Sequence, residues 1–167
     1  MDVTQCKNKI LELFKSGDQT NIELGMVLAE SQGIDLQELC KGYIKAHNIF
    51  GGGGGTLISI INDISNRKMV YKYYVFNFII PKEIELFTSV KFIEIRNCCL
   101  IKLPKEIASL KKLEHLNLRG NNFKIIPDVI FDIPNLKLLD LRHNNFSVGD
   151  KLYIKREFDK KGVRCYI

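Results

Sequence analysis

Three arginines stand 23 residues apart along the chain: Arg96, Arg119 and Arg142. A guanidinium is a planar fork of donors that matches a carboxylate, so a column of them suits recognition of acidic groups. Each has polar or apolar companions two and four residues before it. The full set reads Phe92-Glu94-Arg96, His115-Asn117-Arg119 and Leu138-Asp140-Arg142. Side chains two apart in a strand share a face, so each trio is predicted to face one way. Like charges on adjacent strands repel by about 1 kcal/mol per pair in a water-like dielectric, and Glu94 and Asp140 offset part of that. The plain alternative is a solvated face with internal ion pairs, since surface pairs contribute little.

Other chemistry finds less support. The histidines are His47, His115 and His143, and none has a nucleophile and an orienting group at repeat-related positions. No pair of carboxylates recurs as an acid/base couple would. Gly51–Gly55 lacks the Lys-Ser/Thr that completes a phosphate-binding loop and is read as a linker. The five cysteines, Cys6, Cys40, Cys98, Cys99 and Cys165, show neither CxxC spacing nor zinc spacing with histidine. We therefore expect no catalytic residue, no metal and no cofactor. Cys99 is expected to face outward in a turn.

The elements that hold the arginines are written in the same period. Leu113, Leu116, Leu118, Asn121 and Phe123 recur as Leu136, Leu139, Leu141, Asn144 and Phe146. One step back stand Val90, Ile93, Ile95, Cys98 and Leu100. Pro104, Ile107 and Leu110 match Pro127, Ile130 and Ile133 in the second half of the unit. Alternation sends Leu116 and Leu118 to the interior of a short strand and the arginine trios to the opposite face. The Asn slot falls where the chain turns away, where an amide side chain can satisfy freed backbone groups. Cys98 is a weaker substitute there.

This pattern resembles the leucine-rich-repeat family, LxxLxLxxNxLxxLPxxIxxLxx, and within it the intracellular class. The resemblance implies an α/β leucine-rich-repeat solenoid with a short parallel sheet, stabilised by stacking between neighbouring coils. It also implies protein binding on the concave strand face. Further upstream, Val70 fits but Lys72 falls on a core slot, which suggests a strand shifted to Tyr71–Val75.

Repeat arrays need caps. Residues 1–50 are predicted to form a small helical head, a feature that looks similar to bacterial members of the family. Ile10, Leu13 and Phe14 mark a first helix, broken at Ser16-Gly17. Thr20-x-x-Glu23 opens a second with Leu24, Val27 and Leu28 on one face. Asp35-x-x-Glu38 opens a third with Leu36, Leu39, Cys40, Tyr43 and Ile44. Residues 51–66 are predicted to be a Gly-rich linker and lead-in, 67–149 the repeats, and 150–167 a cap. In the cap, Asp150 is expected to start a helix over Lys151–Lys161 that Gly162 ends, followed by a strand over Val163–Ile167.

Formal charge is +6. Residues 1–50 carry five Lys against seven Asp and Glu, so the excess lies in the array. A basic array favours acidic partners. The opening Met1-Asp2-Val3 has no basic, then apolar, leader, and no apolar run approaches a membrane span, so a cytoplasmic protein is expected. The function expected is a non-enzymatic module that binds a protein or acidic peptide. The alternative is a nucleic-acid or anionic-surface binder using Lys102, Lys105, Lys111, Lys112 and Lys124, although no nucleic-acid motif is present.

Overall fold

The computed structural model describes residues 2–51 and 55–167, and these form two compact units. The first comprises residues 1–67 with 86–89, the second 68–85 with 90–167. Most of the Gly51–Gly55 stretch, expected as a linker, lies outside the described residues.

The first unit is helical. Helix α1 (Val3–Lys15) starts at Asp2, whose carboxylate accepts from the Gln5 amide at 2.8 Å, and buries Cys6, Ile10 and Phe14. The break at Ser16-Gly17 forms as expected, with Gly17 at φ 70°. Helix α2 (Gln19–Ser31) corrects the sequence reading. Its N-cap is Asp18, which accepts from the Asn21 amide at 3.0 Å, and Thr20 lies inside the helix. The buried face is Ile22, Gly25 and Ala29, while Leu24 and Val27 are exposed. The reason is the close approach of the Phe14 ring, which leaves room only for small side chains. A Cβ on Gly25 would lie 2.6 Å from Phe14 Cε1. The predicted third helix is two, α3 (Leu36–Leu39) and α4 (Lys41–Ile49), separated at Cys40. The Asp35 carboxylate caps α3 through the Gln37 and Glu38 amides. Cys40, Tyr43, Ala46, His47 and Phe50 are buried, but Leu36, Leu39 and Ile44 are only partly so.

Residues 51–66, expected as linker and lead-in, include a further helix, α5 (Leu57–Asn66). Thr56 caps it, and Ile61, Ile64 and Ser65 are buried. Two side-chain bonds tie it to α1 and the turn that follows. Ser65 Oγ donates to Phe14 O at 2.9 Å, and Asn66 Nδ2 donates to Gly17 O at 2.8 Å. The apolar spacing of Leu57, Ile61 and Ile64 is the sequence signal for this helix, and the glycines before it obscure its start.

The second unit is a coil of parallel strands in sequence order: β1 (Met69–Tyr73), β2 (Phe92–Arg96), β3 (His115–Asn117), β4 (Leu138–Asp140) and β5 (Arg164–Tyr166). Val70, Ile93, Leu116, Leu139 and Cys165 are partners in successive pairings and are all buried. The strand near Val70 is not shifted. Lys72 pairs with Ile95 in the regular register and stays partly exposed, which an edge strand tolerates because the lysine stem can lie on apolar surface while its ammonium stays wet. On the returning side, 3₁₀ turns at Lys105–Ser109 and Asp128–Asp132 bury Ile107 and Ile130.

Asn121 is the clearest device in the coil. It is buried and makes four bonds. Nδ2 donates to Ile95 O at 2.7 Å and Leu118 O at 2.8 Å, and Oδ1 accepts from the Cys98 and Leu100 amides, each at 3.1 Å. Asn144 repeats three of these one coil later. In the preceding coil Cys98 offers only its thiol, 3.2 Å from Arg96 O.

The C-terminal cap departs from expectation at its start. Helix α6 (Val148–Lys160) begins at Ser147, whose hydroxyl accepts from the Asp150 amide at 3.1 Å. The Asp150 carboxylate accepts from the Ser147 amide in return, so Asp150 is the third residue of a capping box and not the cap itself. Phe158 is buried and stacks on Phe131, ring centroids 4.7 Å apart. Gly162 takes φ 70°, and β5 then covers β4.

Candidate partner-binding face

Parallel register places the predicted trios side by side. Phe92, His115 and Leu138 are mutual partners, as are Glu94, Asn117 and Asp140. The pairing extends both rows beyond the residues the sequence singled out. Met69 and Arg164 join the first, and Tyr71 and Tyr166 join the second. Tyr73 pairs with Arg96 in the third. Tyr71 and Tyr73 stand 23 residues before Glu94 and Arg96, a signal that a shifted strand obscures. Tyr166 of β5 is hidden by the longer cap segment, which interrupts the period.

The face is laced by its own bonds. The Phe92 and His115 rings meet edge to face at 4.6 Å. Asn117 Nδ2 donates to Glu94 Oε1 at 3.0 Å, and Tyr73 Oη donates to the other oxygen of Glu94. That bond to a carboxylate, with some burial, holds the Tyr73 phenol above its ordinary value. Asp140 is buried, contrary to an open contact residue. Arg142 grips it through Nε at 3.0 Å and Nη2 at 2.6 Å, and itself lies over the Tyr166 ring. Burial pushes the Asp140 carboxyl up, but the bonds from Arg142 outweigh it and leave the group below the usual range.

The arginine column is therefore not uniform. Arg142 is held by Asp140. Arg96 lies 4.6 Å over the Tyr73 ring, with Nε 3.9 Å from Glu94. Arg119 has no carboxylate within ion-pair distance among the described residues. Its Nη2 meets His143 Nε2 at 3.0 Å, which requires that nitrogen to accept.

A hollow of about 380 Å³ opens beside it, lined by Tyr73, Tyr74, Arg96, Asn97, Arg119 and His143. Tyr74, Asn97, Gly120 and His143 follow the strands at the 23-residue step, and all four take positive φ, from 55° at Tyr74 and Asn97 to 72° at Gly120. Three side chains are thus held in a left-handed backbone that only glycine adopts freely, the kind of strain that persists where surrounding structure fixes it. At Gly120 a Cβ would lie 1.9 Å from Asn97 Oδ1, so a side chain there would displace Asn97 as well as strain the backbone.

A leucine-rich repeat family model matches residues 88–146. A solved leucine-rich-repeat protein of Leptospira interrogans is 32% identical over 53% of this chain, with a TM-score of 0.48. The chain spans 22% of the length of that protein. No curated protein matches the chain. The 23-residue coil, its in-register parallel sheet and the family match agree over the same stretch: residues 88–146 are leucine-rich repeats.

Proposed function

We propose that the second unit is a non-enzymatic binding module that takes an acidic segment of a protein or peptide on its strand face, in a cytoplasmic setting. The observation that carries this reading is Arg119. It is the arginine of the column without a carboxylate, and it stands at a polar hollow bordered by Arg96, His143 and two tyrosines. A planar guanidinium beside aromatic rings is the composition that anchors protein interfaces. Phe92 and Leu138, both partly exposed, supply apolar contact along the same face. Asp140 is withdrawn from direct contact and serves to fix Arg142.

The test is fluorescence anisotropy with a peptide library graded in acidity. Acid-rich peptides are expected to bind, and Arg119→Glu is expected to abolish binding while leaving the thermal midpoint nearly unchanged. Undiminished binding by that variant would remove the proposal.

A second reading has one observation behind it. Lys68, Lys91, Lys111, Lys112 and Lys137 surround a hollow of about 450 Å³ at the start of the strands, with Glu114 as its acid. Glu114 already engages Lys137 at 2.9 Å and Lys91 at 3.8 Å. The remaining positive charge suits a polyphosphate backbone. A salt-dependent shift of a labelled oligonucleotide, reversed by Lys111→Glu with Lys112→Glu, would favour this reading over the first.

A further inference from the structure

The edge along which the chain leaves each strand carries a row of exposed aliphatic side chains. Ile79 is 69% exposed, Ile101 70% and Ile125 77%. They are neighbours across successive coils. Ile79 shares a hollow of about 270 Å³ with Phe78, Ile101 and Lys102. Ile101 shares the next, of about 550 Å³, with Lys124 and Ile125. Among the described residues, no acidic side chain lines either hollow. Phe76, just before this row, is 85% exposed, and Val148, one repeat step after Ile125, is 77% exposed.

A folded chain seldom leaves large aliphatic groups in water on consecutive repeats unless something else covers them. Here lysines alternate with the aliphatic tips, and lysine stems can lie along apolar surface while the ammonium reaches outward. We propose that this edge docks on an anionic lipid bilayer. The isoleucine tips and Phe76 enter the boundary between headgroups and acyl chains, and Lys102 and Lys124 meet lipid phosphates and carboxylates. Two features favour a bilayer over a folded partner. The tips stand separately above open hollows, so a protein would need a matched pocket for each, whereas a fluid phase closes around them. The charged side chains that line the two hollows, Lys102 and Lys124, are both positive, which complements a negative surface. This surface is distinct from the strand face and does not depend on the function proposed there.

The experiment is co-sedimentation with phosphatidylcholine vesicles, with and without phosphatidylserine, at low and at physiological salt. Binding is expected to require phosphatidylserine. Lys102→Glu with Lys124→Glu is expected to weaken it about tenfold or more. Ile79→Asn, Ile101→Asn and Ile125→Asn combined should remove it. Both variants should keep the wild-type thermal midpoint, because every altered side chain is exposed. Arg119→Glu should bind vesicles as the wild type does, which separates this proposal from the preceding one. Three results would overturn it: no sedimentation with phosphatidylserine vesicles at low salt, undiminished binding by the triple isoleucine variant, or a wild-type dimer that this variant returns to monomer.

Discussion

Asn121 joins two adjacent coils through one amide. Its four bonds satisfy two carbonyls and two backbone N–H groups that the turn leaves without partners. Truncation to alanine strands those buried groups, and each carries a desolvation cost of about 1–3 kcal/mol. We expect Asn121→Ala to cost about 3 kcal/mol or more in urea unfolding. Asn144→Ala should cost less, because Asn144 is only partly buried and makes three such bonds. Equal losses would contradict this account. The Asn slot was legible from its recurrence at 121 and 144. The burial of Asp140 was not, because alternation alone places it outward. The covering comes from Tyr166, which β5 places beside it, and from Arg142, two residues on, which folds back onto its carboxylate.

Asp140 also sets a pH dependence. Its carboxyl lies below the usual range in the folded protein, so it binds protons more weakly there than in the unfolded chain. Its contribution is fully present above the unfolded carboxyl value, about 4. It is lost as pH falls through the lower folded value. Stability measured against pH should therefore show an acid limb that Asp140→Asn flattens. A variant with an unchanged acid limb would place that titration elsewhere.

Helix α2 shows how packing overrides a surface pattern. Leu24 and Val27 invite an apolar face, yet the helix turns Ile22, Gly25 and Ala29 inward. Glycine in a helix interior costs about 1 kcal/mol relative to alanine. Gly25→Ala should nevertheless destabilise the first unit, by about 1–3 kcal/mol, since the added methyl would drive into the buried Phe14 ring. A rise in the thermal midpoint would show that the ring yields. Periodicity could not reveal this face, because a contact made by the absence of a side chain leaves no apolar residue to count. The strands were more readable. Each buried position is a large aliphatic at a fixed interval, so Ile93, Leu116 and Leu139 could be placed by spacing alone.

At the scale of the whole array, stability resides between neighbouring coils, so an end left open is costly. The C-terminal segment buries Ile154, Phe158, Val163 and Cys165. Burying four such side chains is worth about 6 kcal/mol or more, comparable with the entire stability of a small domain. Removing residues 148–167 is expected to abolish cooperative unfolding of the second unit, read by circular dichroism during thermal denaturation. A truncated chain that melts with an unchanged midpoint would show that the cap is dispensable. The cap was visible in the sequence as the place where the period stops, and Gly162 as its turn. Its first residue was not, because Asp150 and Ser147 are both good caps and only their reciprocal bonds distinguish the roles.

The regular register of β2, β3 and β4 has a practical corollary. Each coil meets its neighbours through the same interlocking surface, so the number of coils is a free variable that the ends do not dictate. Duplicating one 23-residue block between β3 and β4 should lengthen the ribbon by one step and carry one more guanidinium into the row. The protein is, in that sense, a ruler whose graduations can be added one at a time.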